Sequence, residues 1–322
     1  MKHIIFLFIF FVGLIHEAAS QRWTRERHHF IIGLGGSGFM GDLGGADDIG
    51  STGISGIRDF DIAAVKPALT LGYRYMVFEN FAITGNLTTG YVSGNDKFTE
   101  EPFRNNRNIH FRSPIIELSA TSQLYVFRLQ RDGQRYRRTT RISGQRSYGI
   151  SAYIFAGVAG FFFNPQAYFD ADEYDGSIPR DQLPSNGWYN LRPLRTEGQG
   201  FFPTREYYGL FSVAIPFGFG AMYHLNRNLA IGLQYGFRAT FTDYIYDVST
   251  TYVDPAIFPI IFEDPARVAL AEHFANPTNN QLSKSSTAPG QQRGNPFNSD
   301  SYMFGFITLY YNIPDFRRPF GR

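Results

Sequence analysis

Residues 111–127 read FRSPIIELSATSQLYVF, and their side chains alternate between apolar and polar. One set of alternate positions is apolar: Ile116, Leu118, Ala120, Leu124 and Val126. The intervening set is mostly polar: Glu117, Ser119, Thr121, Gln123 and Tyr125. A period of two is typical of a β-strand whose two faces meet different environments. The segment is also long enough to cross a bilayer as a tilted strand, which takes about 9–11 residues.

Further segments of the chain repeat this alternation. They cover residues 29–39, 61–76, 81–93, 148–163, 207–223, 229–244 and 302–313. Together with 111–127 they predict eight strands. Three prolines, at positions 67, 114 and 216, fall inside these segments. Because proline cannot donate a hydrogen bond to a ladder, we expect each of them at a bulge or a strand end.

The connections between these strands alternate in length. Residues 77–80 and 224–228 form short connections, whereas the loops 41–60, 94–110, 164–206 and 245–301 are long. Outer-membrane barrels have short periplasmic turns and long extracellular loops. We therefore predict an all-β fold, an eight-stranded antiparallel transmembrane outer-membrane β-barrel with both ends in the periplasm. A soluble sandwich or lipocalin-like barrel is the alternative, and it would need a polar outer face.

The N-terminal residues indicate export. Met1-Lys2-His3 is followed by an apolar run over 4–15 and by Ala18-Ala19-Ser20, which is the pattern of a secretory signal peptide. We expect cleavage after Ser20, a barrel over 21–313 and a short periplasmic tail over 314–322. The chain has no cysteine, which excludes disulfides and a lipid-anchored cysteine. Aromatic residues make up 17% of it, which suits a barrel with aromatic girdles.

No catalytic or cofactor-binding motif of the sequence is flanked by the secondary structure that its chemistry requires. Residues 33–38 read GLGGSG and match the dinucleotide fingerprint, but the Gly-rich sequence after them cannot form the helix that holds a pyrophosphate. The acids at 170–175 could hold calcium, although a solvated loop explains them better. A loop-borne enzyme would have to use His110 with Asp96 or Glu100. We expect no enzyme, cofactor, metal or small-molecule substrate.

Charged residues are expected inside the barrel. Four charged residues lie on the alternate strand positions that face away from the apolar side, and we therefore expect them to point inward: Lys66, Arg74, Glu117 and Arg238. Eight strands leave a lumen that side chains fill, and a buried charge persists there only when it is paired. We therefore expect Glu117 to neutralise Arg74 or Arg238, and we expect no open pore.

Residues 128–146 form an unusual connection, because a short turn is expected there. They carry seven arginines and a single acid, Asp132. The arginines are Arg128, Arg131, Arg135, Arg137, Arg138, Arg141 and Arg146. This segment could dock an acidic protein or the anionic membrane surface, or it could be a solvated turn. Export makes nucleic acid an improbable partner.

One loop segment predicts a helix. Asp264 can cap the first turn, Pro265 suits the first helical position, and residues 266–275 continue with helix formers. We expect this helix inside the last long loop.

Several short motifs resemble, in their order, those of a known family. They are the residues at 41–45, 66–75, 153–165, 194–200, 241–254 and 300–309, including Tyr153-Ile154-Phe155-Ala156-Gly157 and Thr196-Glu197-Gly198-Gln199-Gly200. The pattern resembles the PorG-like outer-membrane barrels of the type IX secretion system, found in bacteria of the Bacteroides group. The resemblance implies a non-enzymatic protein that associates with a periplasmic ring, made of a lipoprotein and its periplasmic partner.

Three functions follow as hypotheses. The first is a structural component that anchors secretion machinery in the outer membrane. The second is a passive transport or receptor barrel that uses its long loops. The third is the loop-borne enzyme.

Overall fold

The computed structural model describes residues 27–40, 65–98, 101–129, 149–226, 228–279, 281–296 and 299–313. The predicted signal peptide, the tail 314–322 and most of the arginine-rich segment lie outside these residues.

The described chain forms ten strands. They are β1 (His28–Met40), β2 (Lys66–Phe78), β3 (Phe81–Asn95), β4 (His110–Leu129), β5 (Ile150–Phe163), β6 (Gln166–Phe169), β7 (Gly187–Asn190), β8 (Phe211–His224), β9 (Leu229–Thr240) and β10 (Ser301–Ile313). Eight of them follow one another in the antiparallel order β3-β2-β1-β10-β9-β8-β5-β4, and pairing of β3 with β4 closes the ring. The predicted eight-stranded antiparallel barrel is confirmed. The two short strands β6 and β7 form a hairpin in the loop between β5 and β8.

The prolines lie at strand ends or ladder interruptions rather than at bulges. Pro67 is the second residue of β2, and Pro114 immediately precedes Ile115, where β4 begins to pair with β5. The ladder between β5 and β8 is interrupted beside Pro216. The two register shifts of the barrel lie elsewhere, between Met76 and Phe78 and between Tyr125 and Phe127. Bulges at these places re-aim the strands as they approach the turns.

The outer wall of the barrel is apolar. On β4, Ile116 and Leu118 are 49% and 68% exposed, whereas Glu117 between them is fully buried. Exposed aromatic residues mark both ends of this wall: Phe78, Phe127, Tyr223 and Tyr311 near the turns, and Tyr91, Phe211 and Phe241 near the loops. An apolar band between two aromatic girdles is the surface that a barrel presents to lipid. The protein is therefore an outer-membrane barrel, and the soluble alternatives fail.

The glycine-rich sequence over 33–38 lies entirely within β1. A Cβ atom at Gly35 would collide with the backbone of Gly305 on the neighbouring strand β10. The glycines therefore allow two strands of the barrel wall to approach closely, and the whole fingerprint lies in a strand rather than in the turn before a helix that a nucleotide site requires.

Three long loops form an ordered structure above the barrel. This outer cap comprises the described residues of 96–109, 164–210 and 241–300, with helices α1 (Pro102–Arg107), α2 (Phe258–Ile261) and α3 (Pro265–Ala275). As predicted, Asp264 caps α3 by accepting a hydrogen bond from the Ala266 amide at 3.1 Å. The cap has its own apolar core, which includes Phe169, Leu194, Phe258, Leu270 and Phe274. Among the described residues, no helix is long and apolar enough to cross a membrane.

Candidate functional site: the filled lumen and the braced outer cap

Glu117 and Arg238 form an ion pair inside the barrel. Arg238 Nε lies 3.1 Å from Glu117 Oε2, and both side chains are buried. The Tyr302 hydroxyl also donates a hydrogen bond to Glu117 at 2.9 Å, and Arg238 donates to the Gly236 carbonyl at 2.7 Å. Three strands, β4, β9 and β10, thus bring these groups together. Of the two partners predicted for Glu117, Arg238 is the correct one.

Arg74 is buried without a carboxylate beside it. Only 2% of its surface is exposed, yet its guanidinium donates to the Tyr125 hydroxyl and to the sulfur of Met222. It also lies over the ring of Tyr310, 4.6 Å from the ring centre. None of the four ion pairs of the described residues includes Arg74. The aromatic faces and the thioether therefore stabilise this cation in place of an acid.

Lys66 lies on the inward face of β2 at the outer end of the barrel. It is the first residue of β2, at the loop end of the barrel, and it is only half-buried. It takes part in no ion pair within the described chain. Its predicted place in the interior charge network therefore stays a prediction, since the adjoining residues 41–64 lie outside the described chain.

Side chains occupy the rest of the lumen. Tyr153 and Tyr310 share a hydrogen bond of 2.8 Å between their hydroxyls, and the Tyr153 hydroxyl also donates to Gln234 at 3.0 Å. Thr70 and Thr88 share another hydrogen bond at 2.9 Å. These groups, the Glu117–Arg238 pair and Arg74 lie within the barrel at different heights. An eight-stranded barrel has room for such side chains but not for a water-filled channel as well.

The outer cap contains a second buried ionic network, centred on Glu197. This carboxylate is fully buried, and it accepts hydrogen bonds from the Ser249 amide at 3.0 Å and from the Thr250 hydroxyl at 2.7 Å. Arg293 donates to it at 3.0 Å. Arg293 also donates to the carbonyl of Phe274 in α3 at 3.0 Å, which connects the network to the helix.

Asp247 is the second acid of this network. Its backbone has a φ of 63°, in the left-handed region that aspartate tolerates better than most residues. Its carboxylate accepts hydrogen bonds from the hydroxyls of Thr196, at 2.6 Å, and Tyr208. Burial raises the pKa of Asp247 to about 6, against the opposing charge of Arg293. The loop that precedes β8 is thereby joined to the loop that follows β9.

A further ion pair joins the third loop to this network. Arg107 Nε lies 2.8 Å from Asp96 Oδ2, and both groups are buried. The same guanidinium donates to the carbonyl of Arg293 at 2.8 Å. The three loops of the outer cap are therefore connected by buried charges, which makes the cap a rigid lid rather than a set of independent loops.

Sequence reasoning missed this cap network. Residues 194–200, 241–254 and 300 carry part of the family resemblance, and Glu197 and Asp247 lie in two of those motifs. Arg293 lies outside them, 96 positions from Glu197. A sequence motif can identify residues that belong to one pattern, but only the three-dimensional structure shows which of them are in contact.

The residues proposed for a loop-borne enzyme are engaged elsewhere. Asp96 is paired with Arg107, and His110 is hydrogen-bonded to the backbone of Tyr168 at 3.1 Å. Glu100 lies outside the described residues. In the acidic loop, Asp170 accepts a hydrogen bond from the Asn186 amide at 2.8 Å. No group of three or more potential metal ligands occurs in the described part of the chain.

The arginine-rich segment falls almost wholly outside the described residues. Arg131, Arg135, Arg137, Arg138, Arg141 and Arg146 are not described. The backbone of Arg128 pairs with Ser151 at the turn end of β4. This end carries the short connections of the barrel and therefore faces the periplasm.

Comparisons with known proteins found no matching protein family and no matching curated protein. Solved structures that resemble the chain include the Neisserial surface protein A, at 6% identity and a TM-score of 0.36, with 89% of this chain and 97% of that chain covered. The attachment invasion locus protein Ail of Yersinia pestis, in complex with the heparin analogue sucrose octasulfate, is 9% identical, with a TM-score of 0.35 and coverage of 90% and 99%. The outer membrane protein W of E. coli is 14% identical, with a TM-score of 0.30 and coverage of 89% and 99%. The assignment as an outer-membrane barrel depends on the strand pairing and the apolar outer wall described above.

Proposed function

We propose that this protein is a non-enzymatic structural component of a protein secretion machinery of the type IX kind, and that it docks periplasmic ring subunits at the outer membrane. The observation that carries the proposal is the filled lumen, with the Glu117–Arg238 pair buried across it. A barrel without a channel cannot function by conducting solutes, so its function depends on the surfaces at its periplasmic and extracellular ends. The ordered motifs that resemble the PorG-like family support the secretion role.

The periplasmic docking surface is the arginine-rich connection 128–146. The other two turns at this end are short: β2 and β3 are separated by residues 79–80, and β8 and β9 by 225–228. The long connection therefore exceeds what closing the barrel requires. Its arginines repel one another, and each can form bidentate hydrogen bonds with a carboxylate. An acidic face of the ring lipoprotein or of its periplasmic partner has the matching chemistry.

The test replaces Arg135, Arg137, Arg138 and Arg141 with serine together. The barrel should fold normally, while co-purification of the ring proteins in mild detergent and secretion should both decrease. A matched variant with lysine at the same four positions keeps the charge and should retain part of the binding. Added salt should weaken the wild-type complex, because exposed charges are screened within about 8–10 Å at physiological ionic strength. Normal secretion and normal co-purification by the serine variant would exclude this docking surface.

A receptor barrel is the second candidate, and the rigid outer cap favours it. The cap presents exposed apolar side chains, with Ile260 at 73% and Phe103 at 69% exposure. Replacement of both with serine leaves the periplasmic end unchanged. If secretion depends on Ile260 and Phe103 but not on the four arginines, the receptor function is the correct one.

A further inference from the structure

An arginine lies on the lipid-facing wall of the barrel near its outer end. Arg112 occupies an outward position of β4, in register with the exposed Ile116 and Leu118, because its neighbours Phe111 and Ser113 are buried. It lies four positions above Ile116, which corresponds to about 13 Å along the strand and about 10 Å of height on a tilted strand. Such a position lies in the headgroup layer and not in the hydrocarbon.

Its guanidinium is held in place by neighbouring side chains. Arg112 lies over the ring of Trp188, 3.9 Å from the ring centre, and its Nε donates to Gln166 at 3.0 Å. Trp188 itself is 42% exposed. The guanidinium is therefore oriented by an aromatic face and an amide, which leave its outer N–H groups available.

A second group of cations surrounds Tyr207, at the outer end of β8. Arg192 lies 3.9 Å and Arg195 5.3 Å from the centre of the Tyr207 ring. Arg192 Nε donates to the Tyr208 carbonyl at 2.7 Å. Tyr207 is exposed and precedes the lipid-facing Phe211 by four positions. This group therefore also lies just above the apolar band.

The strand pairing places the two groups side by side. Arg112 pairs with Gln166 of β6, and Gln166 pairs with Asn190 of β7, two positions before Arg192. Two strand spacings, about 10 Å, separate Arg112 from Asn190, and Arg192 follows Asn190 closely along the chain. Within the described chain, none of the three arginines takes part in an ion pair. We call Arg112, Trp188, Arg192, Arg195 and Tyr207 the outer rim cluster.

We propose that the outer rim cluster binds the phosphorylated disaccharide headgroup of an outer-leaflet glycolipid. Arginine is suited to bidentate phosphate recognition, and two separated cationic groups match a headgroup with two phosphates. The exposed parts of the Trp188 and Tyr207 rings offer apolar surface beside the cations to the sugar rings between the phosphates. Phosphatidylglycerol carries one phosphate and no disaccharide, so it can satisfy only one of the two groups. The site depends on the outer-membrane location and not on the secretion role.

Tryptophan fluorescence measures this binding directly. The chain has two tryptophans, Trp23 and Trp188, so the Trp23→Phe variant reports on the cluster alone. Titration of this protein in detergent with bisphosphorylated lipid A should give a saturable change. Monophosphorylated lipid A should bind roughly tenfold more weakly, because one charge-assisted contact is lost. Phosphatidylglycerol should bind more weakly still.

Variants of the arginines separate this site from general attraction to anions. Arg112→Gln with Arg195→Gln should weaken lipid A binding at least about tenfold, with an unchanged far-UV spectrum. Arg195→Gln alone should also weaken lipid A binding, and it keeps the side-chain hydrogen bonds of Arg112 and Arg192 that hold the cluster together. The exposed Arg180, which faces Asp172 at 3.8 Å, provides the control Arg180→Gln. Equal affinity for phosphatidylglycerol and lipid A, or an unchanged affinity in the double variant, would overturn the proposal.

Discussion

Arg238 reaches Glu117 across the lumen, with 3.1 Å between Nε and Oε2, although β5 and β8 separate their strands in the barrel wall. The pair therefore connects opposite parts of the barrel. It also blocks the lumen at the level of the Tyr302 hydroxyl, which donates to the same carboxylate.

Removal of Glu117 should destabilise the barrel far more than removal of Gln123. Glu117→Ala leaves Arg238 buried and unpaired, which costs about 3–5 kcal/mol. Gln123 is equally buried, but its Oε1 has no hydrogen-bond partner among the described residues, so Gln123→Ala should cost no more than about 1 kcal/mol. Urea unfolding in lipid vesicles gives both values. Equal midpoints would mean that water already solvates the Glu117 carboxylate.

The two buried arginines of the lumen, Arg74 and Arg238, should respond differently to the same substitution. Arg238→Met leaves Glu117 without its cation and should cost about 3–5 kcal/mol. Arg74→Met leaves no described carboxylate without its partner. The methionine can pack against Tyr125, Met222 and Tyr310 in place of the arginine. Its unfolding free energy should change by less than about 1.5 kcal/mol, since it replaces a charge with an apolar chain of similar length. A large loss in Arg74→Met would indicate an anionic partner that the described residues do not supply.

The filled lumen predicts a barrel that does not conduct. The wild-type protein in planar bilayers should show no stable current steps of porin size. Glu117→Ala with Arg238→Ala removes two large side chains from the lumen and should increase any leak. Regular steps in the wild-type protein would contradict the filled lumen and favour the transport hypothesis.

The barrel could be predicted from the sequence because each strand carries its own signal. Alternation marks the two faces of β4 residue by residue, and every predicted strand overlaps an observed one. The wrongly predicted strand boundaries lie at the outer ends of the strands, next to the cap. Residues 241–244 alternate like a strand, but β9 ends at Thr240, because Thr240 and Thr242 bind the backbone of Asp300 and turn the chain into the cap.

The partner of Glu117 and the cap network could not be predicted. The alternation along each strand indicates that Arg74 and Arg238 point inward. Their positions along the barrel axis, however, depend on the stagger of the strands, which no local sequence pattern encodes. Glu117 pairs with Thr88, and Thr88 with Thr70, which lies four positions from Arg74 on β2. In the cap, Glu197 and Arg293 come from different loops without periodicity. The lengths of these loops gave no indication that they fold together.

The outer cap should open when Glu197 loses its charge. Glu197→Gln replaces an acceptor oxygen with an NH₂ group that faces the donors of Thr250 and Arg293. Local destabilisation of about 3–5 kcal/mol should expose the loops to protease while the barrel strands stay protected. The exposed Glu206 provides the control variant Glu206→Gln. Unchanged cleavage of the loops in Glu197→Gln would show that the apolar core of the cap suffices.

His273 should contribute a loosening of helix α3 as the pH falls from 6.5 to 4. Its imidazole packs against Phe169 and Phe274, with ring centres 5.2 Å and 5.1 Å away, and burial lowers its pKa from 6.5 to about 4. The nearby His110 lowers this pKa further, and Asp170 opposes the shift. The folded cap therefore binds fewer protons than the unfolded cap between these two values. The stabilisation is fully present above pH 6.5 and is lost as the pH falls to 4.

Asp247 acts in the opposite direction, since its pKa is raised to about 6 and its protonation favours the folded cap on acidification. Asp96, whose pKa is also raised by burial, acts like Asp247, and His110, whose pKa is lowered by burial, acts like His273. The wild-type profile is therefore the sum of opposing effects, and the variant His273→Phe removes one of them while keeping an aromatic ring in the site. In this variant, the fall in hydrogen-exchange protection of α3 between pH 6.5 and 4 should be smaller than in the wild-type protein or absent, because the contribution of His273 is removed while those of Asp247, Asp96 and His110 stay. The imidazole resonances of His273 in micelles should titrate near pH 4 in the wild-type protein. Titration near 6.5 would show that His273 is hydrated, and the acid loosening of the cap would then need another cause.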